Sequence, residues 1–252
     1  MTRVRAIRQI VIGLIPVMLA GAGRAESLEL NPFSTEAGAA ISSLSGATAA
    51  GFTRIYTNAP ADSRVINTAS LTSPRTIAEG ESVTFAFTFD STQLKDSASA
   101  TSAFRWGFDF GATVVAVLAD AGTPLYTFKQ DRFDSTGGYP FTVAGTLAGT
   151  WGTTTGGPLP ASTAYLNAAN VVTIVTTLKR VSGNNYEIKV QWGGQTYISS
   201  SVFTADHTLD TVFIASGASS GTANDVGDNY TISNVSLSTG SATARASLTV
   251  IR

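Results

Sequence analysis

The sequence predicts an all-β protein built as a two-sheet antiparallel β-sandwich. Apolar and polar residues alternate through most of the patterned segments, and a period of two is the signature of half-buried strands. Stretches rich in Gly, Ser and Asn separate these segments, as is typical of the turns that join strands in sandwiches. After the N-terminal 25 residues, no long segment shows helical periodicity.

The size and composition favour one domain that is not stabilised by disulfides or by thiolate-bound metal ions. A chain of 252 residues fits one all-β unit, and the lack of cysteine excludes disulfides and thiolate metal sites. Four of the 16 basic residues lie in the first 25 positions, which leaves 12 basic and 17 acidic residues, a net charge of −5. A mildly acidic domain has no electrostatic footprint for nucleic acid or an anionic membrane, so neither partner is predicted.

The N-terminus has the layout of a secretory signal peptide over residues 1–25. Basic residues come first, then the apolar run Ile10–Leu19, then small residues that permit cleavage after Ala22 or Ala25. The apolar run is shorter than the roughly 20 residues that span a bilayer. We therefore expect a protein exported to the periplasm, the cell surface or the medium, without membrane contact once the signal is removed.

The mature chain is expected to form one sandwich. Residues 26–70 would supply N-terminal strands and Ser- and Ala-rich loops, residues 71–238 the main sandwich, and residues 239–252 a C-terminal tail or edge strand. Loops are expected over residues 34–50, 91–103, 144–164 and 216–227, where Ser, Thr, Gly and Ala dominate. Because loops on a rigid sandwich commonly carry function, these segments are candidates for binding.

The first half of the main sandwich contains three clear strands. In Glu81–Asp90 the apolar residues share one face, and in Phe104–Phe110 they alternate with Arg105 and Asp109, which are expected to face solvent. The continuous apolar run Val114–Leu118 predicts a strand covered on both sides.

The second half contains a hairpin and two closing strands. Val171–Leu178 and Tyr186–Trp192 flank the turn residues Ser182–Asn185. In the second of these strands Lys189 and Gln191 point away from the core face. The closing strands are Leu209–Ser216 and Asp228–Leu237.

These closing strands, with Phe104–Gly111 and the turn Asp134–Tyr139, resemble the concanavalin A-like lectin/glucanase jelly-roll superfamily, especially exported bacterial proteins of unknown function. The resemblance covers residues 71–238 and implies a jelly-roll sandwich with a tendency to bind or cleave glycans, although a fold does not fix a function. The carboxylate motif of the laminarinase-type hydrolases and the Arg-rich and Gln-x-His strands of the alginate-lyase-like members are both missing. No catalytic residue is therefore predicted, and the nearby pair Glu79 and Glu81 is expected to be a solvated turn.

The leading hypothesis is a non-enzymatic domain that binds a glycan or polysaccharide. Arg105, Asp109, Lys189 and Gln191 would donate to or accept from sugar hydroxyls on one polar sheet face. Trp151 stands in a polar, Gly- and Thr-rich segment, where its indole would stack on a sugar ring.

Two alternatives remain open. The Ser-, Thr-, Gly- and Ala-rich composition also suits a structural or cell-surface protein that assembles through strand edges. A weak polysaccharide hydrolase or lyase would instead need two carboxyl groups across the sugar, for which Asp109 and Glu187 are the candidates.

One segment carries cation-ligand chemistry. Asn224–Asn229 gathers carboxylate and amide oxygens around a glycine, the ligands that calcium takes. The same residues form ordinary turns through side-chain hydrogen bonds, which is the favoured interpretation. If a calcium ion binds here, Asp225 and Asp228 would hold it, and no other cofactor is predicted.

Overall fold

The computed structural model describes residues 25–37, 42–57, 64–90, 103–111, 113–120, 123–129, 151–155, 171–192, 195–199, 203–217 and 229–241. Within these residues the chain forms sixteen β-strands in two sheets and no helix. Every strand pair is antiparallel, which confirms the predicted fold class. Residues 1–24 of the predicted signal peptide lie outside the described residues.

The larger sheet contains ten strands, eight of them in one continuous order and two that pair with interior strands of that order. The order across it is β10-β13-β12-β11-β6-β16-β4-β3, with β1 paired to β16 and β14 paired to β12. Its strands are β1 (Glu26–Ser27), β3 (Ser42–Thr48), β4 (Gly51–Tyr56), β6 (Ser82–Asp90), β10 (Trp151–Thr155), β11 (Val171–Ser182), β12 (Asn185–Trp192), β13 (Gln195–Ser199), β14 (Phe203–Thr204) and β16 (Asn229–Gly240).

The smaller sheet contains six strands in the order β2-β5-β15-β7-β8-β9. In each sheet a strand from the first half of the chain pairs with a closing strand, β6 with β16 and β5 with β15. This winding is that of a jelly roll. The strands are β2 (Ser34–Ala37), β5 (Arg64–Thr76), β7 (Ala103–Asp109), β8 (Val114–Asp120), β9 (Thr123–Lys129) and β15 (Thr208–Gly217).

The core lies between the two sheets and is rich in aromatic rings. β6 presents Phe87 to Trp106 of β7 with ring centroids 6.0 Å apart, and Trp106 lies 5.6 Å from Trp192 of β12. The predicted core faces of these strands are confirmed. Offset and edge-on ring pairs of this kind stabilise a core beyond the area they bury.

Strand β8 is covered on both sides, as its continuous apolar run predicted. Val115 and Val117 join the main core, while Val114 and Ala116 point to the other side, and all four are at most 1% exposed. The outward pair joins a second apolar cluster with Ile66, Phe213 and Ala215 on the outer face of the six-stranded sheet.

The hairpin predicted around Ser182–Asn185 is also confirmed, with Ser182 opposite Asn185. Gly183 occupies the turn with φ of +50°, a left-handed conformation that glycine adopts without the steric cost a Cβ atom would bring.

Two expected loops are wrong. Residues 34–50 contain β2 and β3, and residues 144–164 contain β10. β3 is an edge strand whose side chains are mostly exposed, so it needs few apolar residues and shows little alternation. For β10 the pairing with β13 supplies the reason, because Thr-rich segments have strand propensity even without apolar residues.

Candidate functional site

The outer face of the ten-stranded sheet is covered with hydroxyl groups. Because the apolar residues of β6, β11 and β16 point into the core, the residues between them point outward and are exposed or half-buried. We call this surface the hydroxyl face. Its members are Thr53 on β4, Thr84 and Thr88 on β6, Thr173 and Thr177 on β11, and Thr231, Ser233, Ser236 and Ser238 on β16.

Hydroxyls of neighbouring strands meet in pairs on this face. Thr53 Oγ1 lies 3.0 Å from Thr231 Oγ1, and Thr84 Oγ1 lies 3.1 Å from Thr177 Oγ1. Each hydroxyl has one donor and two acceptor positions, so a single mutual bond leaves capacity for a ligand. The face can therefore donate to and accept from a polyhydroxyl surface.

Lys189 and Gln191 extend the hydroxyl face onto β12. Their neighbours Val190 and Trp192 are buried in the core, whereas Lys189 is exposed and Gln191 half-buried. Lys189 stands opposite Thr177 of β11. The structure thus places these two predicted ligand-binding residues beside the hydroxyl pairs, although their binding of a ligand stays a prediction.

The sequence predicted a loop at Trp151, but the structure places this residue at the start of strand β10. Its backbone stands opposite Ser199 of β13, and β13 in turn pairs with β12. Trp151 consequently belongs to the same sheet as Lys189 and Gln191, two strands away from them.

The prediction that Arg105 and Asp109 face solvent is wrong. Both lie on β7 in the six-stranded sheet and point outward, but Arg105 is only 6% and Asp109 only 2% exposed. The reason is that this outer face is buried around β7, β8 and β15, where it carries the second apolar cluster, so the polar side of β7 is not exposed to solvent. Asp109 Oδ1 accepts a hydrogen bond from the Gly111 amide at 2.8 Å.

The predicted site residues therefore do not share one face. Lys189 and Gln191 lie on the outer side of one sheet, and Arg105 and Asp109 on the outer side of the other, with the core between them. The same separation applies to Asp109 and Glu187, since Glu187 is exposed on β12. These two carboxyl groups cannot flank one glycosidic bond, so the hydrolase pair is wrong.

In the described part of the chain, no group of three or more histidine and acidic side chains is placed to hold a metal ion. Asp225 and Asp228, the predicted calcium ligands, lie outside the described residues. Nor does any helix of the described residues have the length and apolar character to cross a membrane.

Sequence reasoning missed a buried polar cluster around Arg54. The residue alternates with Phe52 and Tyr56 on the inward face of β4, and its side chain is fully buried. That alternation was the available signal, because Phe52, Arg54 and Tyr56 must share one side of the strand. The cluster lies between the sheets and away from the hydroxyl face.

The architecture defines the class of the protein as a two-sheet antiparallel jelly-roll sandwich with one hydroxyl-covered outer face. No protein-family model matches the chain, and no curated protein matches its sequence.

Solved structures similar to the chain include a glucanase, a carbohydrate recognition domain and a lectin. The endo-1,3-beta-glucanase from Streptomyces sioyaensis is 10% identical, with a TM-score of 0.45 over 86% of this chain and 97% of that chain. The carbohydrate recognition domain of Emp47p is 10% identical, with a TM-score of 0.45 over 86% and 95%. The lectin from Bauhinia forficata in complex with GalNAc is 14% identical, with a TM-score of 0.41 over 87% and 99%. No residue role is carried over from any of them.

Proposed function

We propose that the protein is an exported, non-enzymatic sandwich that binds a glycan or polysaccharide on the hydroxyl face. The observation that carries the proposal is the face itself, a surface of paired hydroxyls across β11, β6, β16 and β4. Such a surface matches the hydroxyls of a sugar polymer, because both sides can donate and accept.

The charges around the hydroxyl face support a neutral polymer over a strongly charged one. Lys179 stands opposite Glu187 on the neighbouring strand, so opposite charges adjoin there. Lys189 and Gln191 add hydrogen-bond donors on β12, the strand that also carries Glu187. A hydrogen bond contributes only about 1 kcal/mol, so tight binding needs many bonds at once, which a polymer supplies and a monosaccharide does not.

The test is binding of residues 26–252 to a panel of soluble and insoluble polysaccharides. The double variant Lys189→Ala/Gln191→Ala removes two donors from the hydroxyl face, and we expect an affinity about thirtyfold weaker if each bond contributes about 1 kcal/mol. Trp151→Ala, measured beside it, tests the stacking prediction. Calcium and chelator arms test the prediction for Asp225 and Asp228.

The matched control lies on the opposite outer face of the sandwich. Thr68 and Ser70 on β5 are half-buried and exposed, respectively, and Thr68→Ala/Ser70→Ala should leave affinity unchanged. Equal losses for both double variants would place binding elsewhere. Failure of every polysaccharide to bind would reject the proposal and favour the structural alternative, for which concentration-dependent oligomers are the readout.

A further inference from the structure

A fully buried arginine lies between the two sheets at the end formed by β2, β3, β4 and β5. Arg54 is 0% exposed. Its Nη1 donates to Ser42 Oγ at 2.5 Å, and its Nη2 donates to Asn67 Oδ1 and, at 3.4 Å, to Thr35 Oγ1. The guanidinium thus joins strands of both sheets.

The partners of this guanidinium carry no formal charge. Ser42, Thr35 and Asn67 are neutral, and among the described residues no carboxylate forms a salt bridge with Arg54. Burying a charge without a counter-charge is one of the most costly events in folding. Burial lowers the pKa of Arg54, with opposing effects from Tyr230 and Tyr56, but an arginine stays protonated in proteins.

Nearby phenols do not supply the missing negative charge. The Tyr56 and Tyr230 hydroxyls meet at Ser216 Oγ, at 2.6 Å and 3.1 Å. Burial raises the pKa of Tyr230 above its usual value, against the opposing effects of the Arg54 charge and of hydrogen bonds with Ser216, Arg54 and Asn67. Tyr230 is therefore a neutral phenol at physiological pH.

Two hydrogen-bond donors in the cluster have no charged acceptor. Arg54 Nε and Asn67 Nδ2 are buried and make no direct hydrogen bond in the described part of the chain, and the Tyr230 hydroxyl, which interacts with both side chains, is a neutral acceptor. The two donors belong to side chains that are bonded to each other, since Arg54 Nη2 donates a hydrogen bond to Asn67 Oδ1. A water molecule would accept from these donors but would leave the positive charge uncompensated.

We propose that this cluster binds a small monovalent anion such as chloride, held by the Arg54 guanidinium and the Asn67 amide. One negative charge neutralises the guanidinium, and an anion accepts from both orphan donors. Arg54 and Asn67 are each 0% exposed, so the proposed ligand is a small anion and not a solvent-exposed ligand such as a uronic acid chain. This site is separate from the hydroxyl face and does not depend on the proposed function.

The experiment is thermal unfolding in sodium chloride and in sodium gluconate at a matched ionic strength of about 0.3 M, where screening of surface charges is equal. An anion that binds only the folded state raises the Tm with its concentration, and an excess of about 100-fold over Kd gives a rise of roughly 5 °C or more. We expect this rise in the unaltered protein, together with its loss in Arg54→Met.

Lys179→Met is the control, because Lys179 is an exposed cation on β11 and its loss should leave the chloride effect intact. Equal Tm values in the two salts would overturn the proposal, as would an unchanged chloride effect in Arg54→Met. If Arg54→Met does not fold, crystals of the unaltered protein grown in bromide decide. An anomalous peak beside Arg54 Nε and Asn67 Nδ2 supports the site, and its absence there overturns it.

Discussion

Glu81 closes the turn between β5 and β6, where the sequence predicted a solvated carboxylate. It is only 8% exposed. Its Oε1 accepts from Arg75 Nη2 at 2.7 Å, and its Oε2 accepts from the Ala78 amide at 2.7 Å. Burial by itself would raise the pKa of Glu81, but these two hydrogen bonds and the Arg75 charge outweigh it and lower the pKa.

Glu81→Gln is therefore expected to destabilise the protein at neutral pH by about 1.5–3 kcal/mol, the usual contribution of hydrogen bonds to a charged group. Because the folded pKa is depressed, the stabilisation is full above the unfolded pKa near 4.5 and is lost as pH falls through the folded value. Urea unfolding at pH 7 and pH 3 measures the difference between variant and parent, which should shrink at pH 3.

The control for this change is Glu79→Gln in the same turn. Glu79 is exposed and accepts from the Gly183 amide at 2.7 Å, a bond that a glutamine oxygen can also accept. Its effect should stay within about 0.5 kcal/mol at both pH values. A Glu81→Gln effect that does not vary with pH would show that the charge is not the stabilising feature.

At the scale of elements, β7 and β8 lie unusually close at Gly107. A Cβ atom added there would lie 1.9 Å from the Val115 carbonyl oxygen of β8, so the strands would have to separate. We expect Gly107→Ala to cost at least about 3 kcal/mol, the upper part of the range for overpacking, in urea unfolding.

Gly46→Ala on the edge strand β3 is the comparison. Gly46 has φ of +62°, and nothing lies within 4 Å of its added Cβ. Only the left-handed backbone should cost energy there, about 1–2 kcal/mol. Equal destabilisation by the two variants would mean that β7 and β8 separate without loss.

The long apolar alternations were sufficient to predict β6, β7, β11 and β12 with their core faces. The strands β2 and β3 were missed because they are short, rich in small residues and at sheet edges. For β4 and β5 the sequence predicted only that residues 26–70 supply N-terminal strands, because the inward Arg54 and Asn67 interrupt their apolar faces. In each missed strand, pairing with neighbours supplies what local propensity does not.

The candidate site was predicted only in part, because alternation along a strand does not show which surfaces are covered. Alternation correctly oriented Lys189 and Gln191 away from the core, and it also oriented Arg105 and Asp109 away from it. Alternation says which side of a strand a residue occupies, but not whether that side is covered. Only the packing around the six-stranded sheet shows that Arg105 and Asp109 are buried.

For the whole molecule, the consequence is a sandwich with two unlike outer faces. One is hydroxyl-covered and accessible, and the other carries a second apolar cluster. The polar contacts of the interior hold the sheets together at particular points, among them the bond from Trp106 Nε1 of β7 to Thr176 Oγ1 of β11 at 2.7 Å. Both residues are 0% exposed.

Thr176→Val tests how much that one bond contributes to joining the sheets. Valine keeps the shape of threonine but leaves the buried Trp106 N–H without an acceptor, which should cost about 1–3 kcal/mol. Thr173→Val, an exposed position on the outward side of the same strand, should change stability by no more than about 0.5 kcal/mol. Urea unfolding followed by tryptophan fluorescence and far-UV circular dichroism should show one shared transition for both variants, since both sheets contribute to one core. Separate transitions in Thr176→Val would instead mean that the sheets lose their packing before their strands unpair, and that this bond is needed for their cooperativity.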